Sequence, residues 1–200
     1  MKRIMCCVLS AVMAASVIAV SGCKAEKKKK PVGSRDTAGY SVDMPVYGTA
    51  EELSEESDLI VVGIAKEPAD FEERLETGST IPLSRFVFEV SEVIKGDKDT
   101  KQIYVIQTGK HDSDDMETKL KAGEEYILFL VLQSFRGEPA YYCVGGEQGI
   151  FRIEKNGRIY SYYDTAFGAK ANGSKVTDFK AQIEQAEKSA AAEDASRTEE

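Results

Sequence analysis

Apolar residues between positions 58 and 163 fall in short runs separated by turn-forming residues, and this spacing predicts strands. "DLIVVGIAK" (58–66) is apolar and β-branched, and a charged, proline-containing segment follows it, so it reads as a buried strand. "RFVFEVSEVIKG" (85–96) alternates Phe86, Phe88 and Val90 with Val87, Glu89 and Ser91, and its apolar parity then shifts at Val93. One extra residue near Ser91 and Glu92 restores the inward phase, which predicts a bulge and a strong bend. "KQIYVIQT" from 101, "EYILFLVL" from 125 and "AYYCV" from 140 continue the pattern. "GIFRI" and "RIYSYY" flank Asn156-Gly157, a strong hairpin signal. Six or seven closely spaced strands without alternating helices predict a mainly β fold, a closed or nearly closed antiparallel β-barrel.

Helical spacing is confined to the two ends of this region. Thr49 followed by Glu52 forms a capping box, and a short N-terminal helix is expected to end near Ser57. Val176, Phe179, Ile183 and Ala186 recur at intervals of three and four, so "VTDFKAQIEQAEK" (176–188) predicts a C-terminal amphipathic helix laying an apolar stripe on the barrel. Ser174 or Thr177 is the expected cap. Residues 189–200 contain no large apolar side chain and are expected to form a disordered tail.

The first 22 residues follow a different logic. Lys2 and Arg3 precede the 17-residue apolar segment "IMCCVLSAVMAASVIAV", the charged front and hydrophobic middle of a secretory signal peptide. The segment falls short of the ~20 strongly apolar residues that span a bilayer. "VSGC" (20–23) resembles the lipobox of bacterial lipoproteins, which implies cleavage before Cys23 and acylation of its thiol. Two or more acyl chains anchor a protein stably where one does not. Residues 23–45 then read as a flexible, lysine-rich tether, with Lys27 to Lys30 suited to anionic headgroups. The expected organisation is signal peptide 1–22, tether 23–45, barrel domain with its C-terminal helix 46–188, and tail 189–200.

Charge and cysteine count narrow the functions. The whole chain carries 26 basic and 34 acidic residues for a net charge of -8, and loss of Lys2 and Arg3 with the leader leaves -10. Nucleic acid is disfavoured as a partner, because phosphate binding depends on clustered Lys and Arg. Of the four cysteines only Cys143 lies in the folded body, so no disulfide framework forms there and the core alone must hold the fold.

Four stretches, "SDLIVVGIA" (57–65), "FEVSEVIKG" (88–96), "LKAGEEYILFL" (120–130) and "GGEQGIFRI" (145–153), together with the lipobox, carry a family resemblance. They resemble a widespread group of uncharacterised bacterial lipoproteins whose barrel is similar to the netrin-like domain of the tissue inhibitors of metalloproteinases. The resemblance implies an OB-fold barrel of five strands with extra strands and a C-terminal helix. It does not imply protease inhibition. Those inhibitors are disulfide-rich and present a free N-terminal cysteine to the protease zinc, whereas Cys23 would be acylated and separated from the barrel by the tether.

Candidate chemistry within the body is sparse. The one histidine opens "HDSDDME", where His111, Asp112, Asp114, Asp115 and Glu117 offer ligands for a weakly held divalent cation. The segment lacks the frame of an EF-hand, and a hydrated acidic loop is the expectation. "GGEQG" (145–149) reads as a bend rather than an anion-binding nest. Tyr104, Tyr141, Tyr142, Tyr160, Tyr162 and Tyr163 could offer a sugar-stacking face if alternation leaves enough of them outside. Glu72, Glu73 and Glu76 read as solvated carboxylates. A single His and a single buried Cys do not assemble a nucleophile-base pair in the ordinary way, so no catalytic residue, cofactor site or metal ligand is assigned.

These readings converge on a non-enzymatic, extracytoplasmic lipoprotein, anchored to the cell membrane through Cys23 and contacting another envelope protein. A carbohydrate- or small-ligand-binding surface lipoprotein is the alternative. Mass spectrometry of the protein from its native host is expected to find a chain beginning at an acylated Cys23. Cys23→Ser is expected to move it from the membrane to the soluble fraction; an intact leader or an unmodified thiol would contradict the reading.

Overall fold

The computed structural model describes residues 45–112, 120–164 and 166–197; the leader, Cys23 and most of the tether lie outside them. Strand β1 (Leu59–Arg74) explains much of the architecture, because its first half is buried on both faces. Ile60 and Val62 point into one core and Leu59, Val61 and Ala65 into another. A strand with two buried faces is a continuous apolar run rather than an alternating one, which is why "LIVV" has no polar partners interleaved. The same holds for β4 (Glu125–Phe135), whose Ile127 and Phe129 share the first core while Tyr126, Leu128 and Leu130 share the second.

β1 is also hydrogen-bonded on both edges. It pairs with β2 (Thr80–Lys95) along its length, and residues 59–64 pair with 130–125 of β4 on the other edge. β2 continues to β3 (Gln102–Thr108), β3 to β5 (Glu138–Cys143) and β5 to β4, so β1-β2-β3-β5-β4 closes on itself as a ring of five strands. The fold is mainly β, as expected. One pairing departs from an all-antiparallel arrangement: β3 and β5 run parallel, over Val105–Tyr141 and Ile106–Tyr142. β6 (Ile150–Ile153) and β7 (Ile159–Ser161) extend the sheet beyond β4 and join through the Asn156-Gly157 turn.

The bulge expected near Ser91 is present. Val62 opposes Glu92 and Gly63 opposes Val90, which leaves Ser91 as the extra residue; its hydroxyl donates to Val62 O at 3.1 Å. Both β1 and β2 are longer than the pattern suggested. Pro68 and the charges after it looked like a strand boundary, but Pro68 falls at a register shift, where a proline is tolerated, and the charged residues run on beyond the β4 pairing as an arm with β2, whose Leu83–Phe86 still pair with β3.

Helices close the outer core. α1 (Ala50–Glu55) is capped by Thr49, whose hydroxyl accepts from Glu52 N, while the Glu52 carboxylate reaches back to Gly48 N. α2 (Ala166–Ala171), which the sequence pattern did not reveal, contributes Phe167. α3 (Val176–Arg197) buries Phe179, Ile183 and Ala186 as expected, but it runs on past residue 188 through the helix-favouring Ala190, Ala191 and Ala192. Neither expected cap acts there: Ser174 bonds back to Ala171 O and Thr177 to Asp178. Lys95 donates to Ser54 O at 2.6 Å and pairs with Glu187 at 3.4 Å, while the Ser54 hydroxyl donates to Glu187, so β2, α1 and α3 meet in one polar knot.

Within "GGEQG", which the sequence suggested as a bend, Gly146–Gly149 form a single 3-10 turn, and it has a specific task. Gln148 is buried, receives Tyr47 N at 2.9 Å and donates to Pro45 O at 2.8 Å, fixing the point where the chain enters the domain. Gly63 shows how tightly the ring is built: an added Cβ would stand 2.1 Å from Glu89 O and 2.7 Å from the Phe88 ring. Gly63→Ala is expected to cost about 3 kcal/mol of unfolding free energy, measured in urea, through overpacking at the β1–β2 contact. A cost below about 0.5 kcal/mol would show that the strands separate there freely.

Candidate functional site

Two hairpin ends meet outside the ring. The β4–β5 turn consists of Arg136 (φ 54°) and Gly137 (φ 83°), a two-residue turn with both central residues left-handed, as strand twist favours. Arginine pays roughly 1 kcal/mol for that conformation. Its side chain offsets the cost by reaching the β1–β2 arm. Nε and Nη2 contact Glu73 Oε2 at 2.9 and 2.8 Å, and Nη2 donates to Glu72 O at 3.0 Å. Beneath it the Phe71 and Phe135 rings stand 5.2 Å apart, and the guanidinium lies 5.1 and 5.3 Å from their centroids. A small third core of Leu83, Ile106 and Ala140 supports the junction.

A cavity of about 340 Å³ opens between the arms, with Asp70, Phe71, Arg85, Phe135, Arg136 and Glu138 among its lining residues. Arg85, on the outward face of β2, places its guanidinium 4.9 Å above the Tyr104 ring of β3. Tyr104 is 43% exposed, so this stacked pair continues the cavity onto open surface.

The opposite wall is organised by Asp70. Oδ1 lies 2.7 Å from the Ser84 hydroxyl and 3.3 Å from His111 N, and Oδ2 lies 2.9 Å from His111 Nδ1. Ser84 is also 2.6 Å from Gly109 O, so the carboxylate ties β1, β2 and the end of β3 together. Partial desolvation pushes the Asp70 carboxyl upward, but the Ser84 hydroxyl, the His111 N–H and the imidazole outweigh it and hold the pKa below its ordinary 3.8.

Of the expected cation ligands, His111 and Asp112 come together with Asp70, their donor atoms within 4.8 Å of one another; Asp114, Asp115 and Glu117 lie outside the described residues. These three could hold a divalent ion only by giving up part of the clamp, since both Asp70 oxygens already accept hydrogen bonds. Asp70 was not legible as a partner, because 41 residues separate it from His111.

The tyrosines do not share one face. Tyr104 and Tyr142 lie on the cavity side, Tyr141 packs against the inner core, and Tyr160 and Tyr162 form an edge-on pair at 5.1 Å beside Arg152. Burial raises the pKa of Tyr126, whose hydroxyl donates to Glu124 at 2.9 Å. Cys143 packs against the inner core, and burial pushes its thiol up to about 12, so it holds no thiolate at neutral pH. Glu73 is committed to Arg136, while Glu72 and Glu76 are exposed. No protein-family model matches this chain, and no curated protein matches it.

The Asp70 clamp has a definite pH signature. Because its folded pKa is depressed, its contribution is complete above about pH 4 and disappears as pH falls through the lower folded value. Asp70→Asn is therefore expected to cost about 1 kcal/mol at pH 7 and to converge on wild type as pH falls below the depressed folded pKa, by urea unfolding at each pH. A pH-independent difference would remove the carboxylate from the clamp.

Proposed function

We propose that the protein is a membrane-anchored extracytoplasmic lipoprotein that works by binding rather than by catalysis, with an OB-like barrel as its binding platform. Support for the barrel comes from the ring order β1-β2-β3-β5-β4 with its single parallel pair, and from the long, bent β1 shared between β2 and β4. OB-folds bind ligands on the face of their second and third strands, between the 1–2 and 4–5 loops. The resemblance to netrin-like lipoproteins is part of this proposal, as is acylation at Cys23.

The observation that carries the reading is the pinned cavity, which lies between the β1–β2 arm and the β4–β5 turn and adjoins Arg85 and Tyr104. Two aromatic rings and an arginine held on rigid strands are the composition of a binding hot spot. Another envelope protein is one occupant. A small ligand is the second, and the cavity favours it: about 340 Å³ lies at the low end of the ~300–1,000 Å³ typical of small-molecule sites.

Crosslinking in intact cells followed by pull-down is expected to recover a partner protein with the anchored wild type and to lose it with Phe135→Ala. Recovery of the same partner by both would move the interface away from the cavity. Recovery of none would count against a protein partner.

A further inference from the structure

The charges of the cavity fall into two classes. Asp70 is committed to Ser84 and His111, and Arg136 to Glu73 and the Glu72 carbonyl. Arg85 and Glu138 are different. Both line the cavity, both are exposed, and neither forms an ion pair with a described residue; Arg85 stacks on Tyr104. The cavity thus presents one uncommitted guanidinium, one uncommitted carboxylate and, between the hairpins, the apolar surface of Phe71 and Phe135.

We propose that this cavity binds a small zwitterion of the amino-acid or dipeptide type. The ligand carboxylate meets Arg85, its ammonium meets Glu138, and its apolar side chain packs against Phe71 and Phe135. This rests on the small-ligand form of the function proposed above.

The pairing follows from charge complementarity. A guanidinium takes a carboxylate through two parallel N–H bonds, and stacking on Tyr104 holds Arg85 in place before the ligand arrives, which lowers the ordering cost. A purely anionic ligand would satisfy Arg85 but stand against Glu138, and a cation would do the reverse. A neutral sugar would offer a counter-charge to neither. Only a ligand bearing both signs completes the site. The strongly negative chain offers no long-range attraction to an anion, so discrimination lies in these short-range contacts.

The full chain in detergent, titrated by NMR or calorimetry, tests the pairing charge by charge. The probes are L-phenylalanine, N-acetyl-L-phenylalanine (no ammonium), L-phenylalaninamide (no carboxylate) and N-acetylglucosamine. Wild type is expected to bind L-phenylalanine at least tenfold more tightly than either blocked form. In Arg85→Gln the amide and the free amino acid are expected to bind alike, and in Glu138→Gln the N-acetyl form and the free amino acid likewise. Both positions are exposed, and unchanged circular dichroism and melting will show that the variants fold.

Absence of L-phenylalanine binding, or binding that neither substitution weakens, overturns the proposal. So does tight N-acetylglucosamine binding indifferent to both substitutions, which assigns the cavity to neutral saccharide and leaves the broader binding function standing. Recovery of a protein partner by crosslinking, without L-phenylalanine binding, likewise defeats this inference alone.

Discussion

The pairing of β1 with a neighbour on each edge is the constraint on which the rest of the structure depends. Residues 59–64 bond to β4 on one side while the whole strand bonds to β2 on the other. That double engagement closes the ring, and it leaves the strand with two faces to bury. Ile60 and Val62 then belong beneath α1 and α3, and Leu59 and Val61 inside the ring. Three register shifts on the β1–β2 ladder supply the bend that one strand needs to serve two neighbours. Gly63 sits at one of them, where the backbones approach too closely for a side chain.

Beyond the ring the same two strands run on as an arm with less burial, and its position depends on polar contacts. Arg136 holds it from the β4–β5 turn, and Asp70, through Ser84 and His111, ties it to the end of β3. A single charge pair at a surface contributes little. Here the bonds to Arg136 and Asp70 act with the Phe71–Phe135 contact, and together they keep the cavity formed between the hairpins. Asp70 and Arg136 are held by the protein's own network, and the Cys143 thiol lies elsewhere, packed against the inner core.

How far the sequence revealed this follows from the range of each interaction. The Ser91 bulge, the Thr49 cap and the Asn156-Gly157 turn are local, and each was legible from a few neighbouring residues. The apolar runs also showed which segments are strands. Pairing order was not legible, since β3 and β5 meet in parallel across the whole of β4. The arm was missed because its charges suit solvent and its Pro68 looks like a terminator. The cavity was missed for a related reason: Phe71, Arg85 and Arg136 come from three separate strand regions, and Arg-Gly is a weaker turn signature than Asn-Gly. Residues 1–44, with Cys23, lie outside the described residues.

Native-state hydrogen exchange measures the closure of the ring most directly. Amides of residues 59–64 and 125–130 are predicted to exchange only through global unfolding, whereas those of the 68–74 arm exchange through local opening at lower free energy. Exchange of residues 59–64 as fast as that of the arm would contradict a closed ring built on β1.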